Sequence, residues 1–421
     1  MQKYSKYKDS GVKWLGEIPS HWEVVKSKYL WKESFAVSDS GREKLLSVSQ
    51  YDGVTPTKSD SRSESLKGYK IVNKNDLVIN IMLAWMGGLG VSKYEGIVSP
   101  AYCIYKLCDS SNPRFLHFLY KTPLYLAEFA RRSSGVIPSR WRMYTDDFGQ
   151  VLSLLPPRKE QDAIVSYLDS VTSKIDEAIA QQQKMIDLLN ERKQIIINDA
   201  VTKGLDPKAK MKNSGIDWIG QIPEHWETIQ LKKYAKIILG KMLSNLQNNE
   251  TEYICAKDVH YGNIDISDLK KMNFSKSEKE MYEVKKGDML IVEGGAGAGG
   301  CAIYNYEKTG ICIQNSIMIV RCNEKIINEY VCFFLQSINE KGYVEYVCNK
   351  ATIPHFTKEK VGSVTIPVPS RTEQLEIVKY VKNNISPINL AIESANKQIA
   401  LLQERKQIII NDVVTGKVKV V

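Results

Sequence analysis

Two sets of side chains in this 421-residue chain carry groups able to read or grip a polyanion. The first set is Ser49, Gln50, Tyr51, Asn80, Met82, Trp85, Ser99 and Tyr102, with Arg131, Arg132, Arg140 and Arg142 further on. The second is Lys257, Asp258, His260, Glu293, Asn315, Lys350 and His355. In a DNA major groove Arg and Lys pair with guanine, Asn and Gln with adenine, and carboxylates with cytosine. Other members of such a set only grip phosphate, and each named residue is as able to serve the fold or face solvent as to touch a base. Trp141, between Arg140 and Arg142, either stacks on a base or anchors its segment; the anchor is the simpler role. The formal net charge of +10 suits a phosphate-rich partner, because Lys and Arg displace counterions from nucleic acid.

Chemistry that makes or breaks bonds is not legible. The run from Glu293 to Gly300 is rich in glycine and follows a β-like stretch, but no Lys-Ser/Thr closes it as in a phosphate-binding loop. The residues after it, CAIYNYEK, read as strand rather than as the helix a dinucleotide site needs. A similar run, Met86-Gly87-Gly88-Leu89-Gly90, makes a close backbone approach the better reading of both, within the domain or against DNA. No Asn/Asp-Pro-Pro-aromatic motif, acidic-Lys nuclease cluster or Ser/His/Asp ordering is present. Five scattered histidines lack metal-ligand spacing, and the eight cysteines include no C-x-x-C pair, so they read as reduced core residues. The expectation is a chain with no catalytic residue, cofactor site or metal site of its own. No stretch approaches the roughly 18 apolar residues of a membrane span and the start lacks a signal peptide, which reads as cytoplasmic.

The elements that position these groups come twice. Ser10 to Glu23 reads SGVKWLGEIPSHWE and Ser214 to Glu227 reads SGIDWIGQIPEHWE. LLNERKQIIINDAVT, residues 188–202, returns as LLQERKQIIINDVVT, residues 401–415, with two differences in fifteen positions. PPRKEQ near Pro156 is echoed by VPSRTEQ near Pro369. A fixed frame therefore carries two dissimilar inserts. The frame should make one contact twice, and the inserts should each recognise something different.

After each echoed motif, apolar residues recur in steps of four and three. Ile164, Leu168, Val171, Ile175, Ala178, Met185, Leu189 and Ile196 read as a heptad seam, interrupted by Gln182 and Arg192. Ile377, Val381, Ile388, Ala391, Ala395, Leu402 and Ile409 repeat it, interrupted by Asn384, Gln398 and Arg405. About 40 residues at 1.5 Å each give helices on the order of 60 Å long, which should pair antiparallel with each other. Gly204 to Pro207 mark the stop of the first, and Pro387 should start a segment of the second or kink it. The repeated Glu191, Arg192, Lys193 and Glu404, Arg405, Lys406 suggest one docking surface used twice, a solvated face being the plainer role. The inserts, roughly 24–155 and 228–367, hold short β-like runs such as LLSVS, DLVINIML and DMLIVE, and each ends in a helical stretch. Each reads as an α+β domain around a small, curved, mixed sheet.

Taken together, these residues resemble the specificity subunit of type I restriction-modification systems along nearly the full chain. The W-[LI]-G-x-I-P-x-H-W boxes, the strands NDLVIN and GDMLIV, GIVSPAY, the P-x-x-E-Q helix starts and ERKQIIIND carry the likeness. The resemblance implies an α+β fold: two α/β target-recognition domains separated by two long antiparallel helices that form an intramolecular coiled coil with a pseudo-twofold repeat. The division is a first recognition domain over 1–157, a helix over 158–205, a second domain over 206–369, and a second helix with tail over 370–421. Each domain would read one half of a gapped double-stranded DNA target, and the helices would set the spacer. Two methyltransferase subunits would dock on the frame and bring S-adenosylmethionine; motor-nuclease subunits would bring ATP and magnesium. A divergent stand-alone methyltransferase or nuclease, and a coiled-coil scaffold without a DNA role, are the alternatives.

Overall fold

A chain that repeats its frame must solve the same packing problem twice. The computed structural model describes residues 2–50, 53–57, 66–135, 137, 141–242, 250–348 and 354–420. They form two compact units, Met1–Gln183 with Asn396–Val421, and Lys184–Ala395.

In the first unit Leu77–Asn80, buried at all four positions, lies inside a four-stranded sheet of order Trp31–Glu33, Tyr102–Leu107, Leu77–Asn80, Leu89–Val91. The helical stretch after it divides at Thr122-Pro123 into Pro113–Tyr120 and Pro123–Arg132. Each helix starts on a proline and is capped by a side chain, Asn112 or Thr122, that accepts from first-turn N–H groups. Phe115, Leu119, Tyr120, Tyr125 and Phe129 from these helices fill the core against the sheet. Pairing of Glu23–Lys26 with Leu152–Leu155 brings the two ends of the insert together.

The second unit repeats the plan. Its sheet runs Ala235–Leu239, Ile317–Cys322, Met289–Val292, Cys301–Ile303. The following helices, Asn328–Glu340 and Tyr343–Val347, divide at Gly342, whose φ of +82° suits glycine. Glu227–Gln230 pairs with Thr365–Val368 to close the insert. The expected mixed sheet is corrected here: both central sheets are wholly antiparallel. In each sheet the pair joined by a short turn, Leu77–Asn80 with Leu89–Val91 and Met289–Val292 with Cys301–Ile303, cannot run parallel, which requires a crossover of about a dozen residues or more. Among the described residues, parallel pairing is confined to Thr251–Ile254 with Cys312–Ile313 and to isolated bridges.

The long helices span Arg158–Lys203 and Arg371–Val414, the second running unbroken through Pro387. In the first unit the start of one meets the end of the other, with Ile164, Leu168 and Ile175 sharing a core with Ile409, Ile410 and Val413. In the second unit the roles exchange, Ile197 and Val201 sharing a core with Ile377 and Val381. Lys406 Nζ donates to both carboxylate oxygens of Asp176 at 2.7 Å, and Lys193 Nζ to Asn389 Oδ1 at 3.0 Å. Advancing from 176 to 193 on the first helix retreats from 406 to 389 on the second, so the pair is antiparallel.

The expected seam is buried or half-buried at every position except Met185, which is exposed. Within the buried face of the first helix, Ile164, Ile175, Ile186 and Ile197 recur eleven apart. The second helix repeats the spacing with Ile377, Ile388, Ile399 and Ile410, of which Ile399 is half-buried. Eleven residues in three turns is about 3.67 per turn, near the natural helical period, whereas a seven-residue reading drifts by about 20° per heptad. That drift takes Met185 off the face and brings Ile186 onto it.

Candidate nucleic-acid interface

The repeated motifs build one joint per unit. Trp22 is fully buried, and its indole N–H donates to Glu160 Oε1 at 3.1 Å. The Tyr4 hydroxyl donates to the same oxygen at 2.6 Å, and His21 Nε2 lies 2.7 Å from Oε2. In the second unit Trp226 donates to Glu373 Oε1 at 3.0 Å and His225 Nε2 lies 3.1 Å from Oε2. Both glutamates stand in the first turn of a long helix, where the helix dipole favours a negative charge.

The glutamine that follows each glutamate bridges two other segments. Gln161 donates to Pro156 O and accepts from Asn112 N, and Gln374 donates to Pro369 O and accepts from Ile327 N. A helix-end glycine closes each joint. A Cβ on Gly416, at φ +76°, would fall 2.5 Å from Pro19 Cδ, and one on Gly204, at φ +74°, would fall 3.2 Å from Trp226. The boxes and P-x-x-E-Q motifs are thus framework. Glu160 and Glu373 are functional partners that sequence reasoning missed, although their place in the echoed motif was a usable signal.

The frame presents the candidate reading residues at one end of each central sheet. In the first unit an eight-residue turn, 81–88, leaves the Leu77–Asn80 strand, and Tyr102 pairs with Asn80 beside it. Trp85 meets Trp141 edge to face at 5.3 Å, its indole N–H donates to Met82 O, and Arg142 Nη2 lies 3.9 Å from Met82 Sδ. Lys121 Nζ donates at 2.8 Å to both Gln50 O and Gly87 O, tying the end of the Leu46–Ser49 strand to this turn. Asn80 itself is buried, with its side-chain oxygen accepting from Met82 N, so it shapes the turn. Ser99 likewise accepts from Ala101 N and Tyr102 N in a turn of its own.

Arg131 and Arg132 both grip the buried Glu128, at 2.7 and 2.5 Å. Burial pushes the Glu128 carboxyl up, and the two guanidiniums outweigh it and hold it below the usual range. Tyr51 and Arg140 lie outside the described residues.

In the second unit the turn 293–300 leaves Met289–Val292. Glu293 N donates to Ser316 O at 2.8 Å, and Phe356 N to Glu293 O at 2.7 Å, which brings His355 alongside Gly294. Ala256 N donates to Ser316 Oγ at 3.0 Å and sets Lys257 beside the turn that holds Asn315. Burial raises the Glu293 carboxyl above its ordinary value, with the His355 ring acting in the opposite direction. Lys257 and His260 are exposed. Asp258 is buried and accepts from Cys255 N and Sγ at 2.9 and 3.1 Å, a turn-forming role. Lys350 lies outside the described residues.

The glycine-rich run makes its close approaches to the protein: a Cβ on Gly299 would fall 2.5 Å from Val344 Cγ2. A strand, Cys301–Ile303, follows it.

On the helices, Glu191, Arg192, Glu404 and Arg405 are exposed, while Lys193 and Lys406 turn to the opposite helix. Between them lie apolar side chains more than half exposed at matching places in both copies, Leu188 and Ile195, and Leu401 and Ile408. Among the described residues no His, Cys, Asp and Glu side chains group as a metal site, and no helix is long and apolar enough to cross a membrane.

A duplicated frame with matching joints thus carries two unlike sheet-end surfaces. Residues 223–402 match the family model for the type I restriction modification DNA specificity domain. Over 96% of both chains the protein is 26% identical to a chain assigned as the MjaX type I restriction enzyme specificity subunit of Methanocaldococcus jannaschii. It is 24% identical to the MjaVIII specificity subunit of the same organism, over 98% of this chain and 97% of that one. A chain in a solved structure concerned with complex assembly and conformational transition of the type I R-M system shares the fold. Its TM-score is 0.68 at 15% identity, covering 94% of this chain and 98% of that one. Over nearly its full length the chain is thus similar to specificity subunits of type I restriction-modification systems, and that similarity supports a role in DNA sequence specificity.

Proposed function

We propose that each recognition domain reads one half of a split, gapped DNA target, with residues 1–157 and 206–369 as the two readers. The long helices separate the halves and set the spacer. The observation that carries this reading is that the two sheet-end surfaces occupy the same place in the fold but differ in their side chains. Identical surfaces would read identical half-sites.

The matching exposed patches around Leu188 and Ile195, and around Leu401 and Ile408, seat two methyltransferase subunits, one per copy. Clustered exposed apolar groups mark a surface that a partner can cover. Motor-nuclease subunits then join, in the cytoplasm. The reacting groups belong to those partners: S-adenosylmethionine on the methyltransferases, ATP and magnesium on the motor-nucleases. An adenine presented to a methyltransferase has to leave the base stack, so this chain fixes which adenine is within reach.

The test is to copurify the chain with its methyltransferase and map methylated adenines by long-read sequencing. A bipartite, gapped, asymmetric target is expected. A continuous target would refute the reading.

A further inference from the structure

Turns 81–88 and 293–300 leave equivalent strands and have the same length and some of the same hydrogen bonds, but their backbones differ at the centre, where Leu83 takes a φ of −119° and Gly295 one of +90°. Asn80 N donates to Gly88 O at 2.8 Å, and Val292 N to Gly300 O at 2.8 Å. Met86 N donates to Leu83 O at 3.0 Å, and Ala298 N to Gly295 O at 3.1 Å. Gly87 and Gly299 take φ of +88° and +83°. Residue for residue, Met82, Leu83, Trp85 and Met86 stand where the second turn has Gly294, Gly295, Gly297 and Ala298. Three of the large apolar side chains of the first turn, Met82, Leu83 and Met86, remain about 40% exposed. Trp85 and Trp141 back this surface, and the Arg142 guanidinium stands at its rim.

The major groove of DNA offers one apolar group, the C5 methyl of thymine, flanked by phosphates. We propose that the first domain reads its half-site by seating a thymine methyl on the Met82 and Trp85 surface, with Arg142 on a neighbouring phosphate. The second domain, with bare backbone and Glu293 at the equivalent place, reads by hydrogen bonds. This inference rests on the split-target reading.

The test uses the assembled methyltransferase complex and its mapped target duplex, with deoxyuridine replacing thymine in one half at a time. Uracil lacks only the methyl. Affinity should fall about fourfold for each seated methyl, the transfer free energy of one apolar carbon. The fall should occur in the first domain's half-site and not in the other.

The double variant Met82→Gly/Trp85→Gly removes the apolar surface of the first turn. It should lose the sensitivity to uracil, and the half-site whose base preference it alters is the first domain's. Intact assembly and unchanged discrimination at the other half-site report that the variant is folded. The inference is overturned if the first half-site contains no A·T pair, if uracil there is tolerated, or if the sensitivity survives in the double variant. A continuous methylated target would refute the split-site reading itself, and this inference with it.

Discussion

Replacing Glu160 with Ala removes the acceptor for three donors at once, two of them on largely buried side chains. Trp22 is fully buried and Tyr4 nearly so, and both donate to Glu160 Oε1. An unsatisfied buried donor costs about 1–3 kcal/mol. The His21 contact adds little, because its side chain is 44% exposed and well solvated. Glu160→Ala should therefore destabilise the first unit by about 3 kcal/mol. At the matching joint Glu373 serves one buried donor, Trp226, and a His225 side chain that is 62% exposed, so Glu373→Ala should cost about 1–2 kcal/mol. The two units need not unfold together, so amide hydrogen exchange, which resolves each unit, is the suitable assay. Lost protection should centre on the first unit for Glu160→Ala and on the second for Glu373→Ala. Glu160→Gln, which keeps an acceptor for Trp22, should recover part of the loss. Equal destabilisation by the two alanine variants, or none, would refute the joint as the element holding each box to its helix.

Burial, with Lys121 and Arg114 nearby, pushes the His117 imidazole down to about 3, so native His117 is neutral and accepts from Val91 N. Below about pH 6.5 the unfolded chain takes up a proton that the native state refuses, so stability falls from there towards pH 3 by at most about 1.4 kcal/mol per pH unit. His117→Gln should flatten that slope in denaturant titrations of the first unit; an unchanged slope would assign it to other groups. Arg114 pairs with Asp169 in the first unit, and at the matching place in the second the charges are reversed, Glu329 with Lys382. Asp169→Lys should lose up to about 1 kcal/mol, since the pair is part-exposed, and adding Arg114→Glu should recover it by copying the second unit; failure to recover would show that the pair makes no net contribution. Leu188→Glu/Ile195→Glu should remove one bound methyltransferase and Leu401→Glu/Ile408→Glu the other, read as subunit ratios by native mass spectrometry, and an unchanged ratio of two would exclude this face as the seat.

The sequence by itself determined the doubled frame, the two long helices and the β-runs such as Leu77–Asn80, because those signals are local: identity over a few residues and the spacing of apolar side chains. It also placed the two glycine-rich runs at corresponding points of the inserts, where each leaves an equivalent strand. What lay beyond it were pairings between distant residues. Glu160 meets Trp22 across 138 positions and Glu373 meets Trp226 across 147, and no local pattern states which acceptor a buried indole finds. Asn80 and Asp258 have the right chemistry to read a base, yet the fold spends their oxygens on their own turns. The burial of Ile186 in place of Met185 was likewise tertiary: both lie on the apolar stripe of one helix taken alone, and the fold decides which of them is buried.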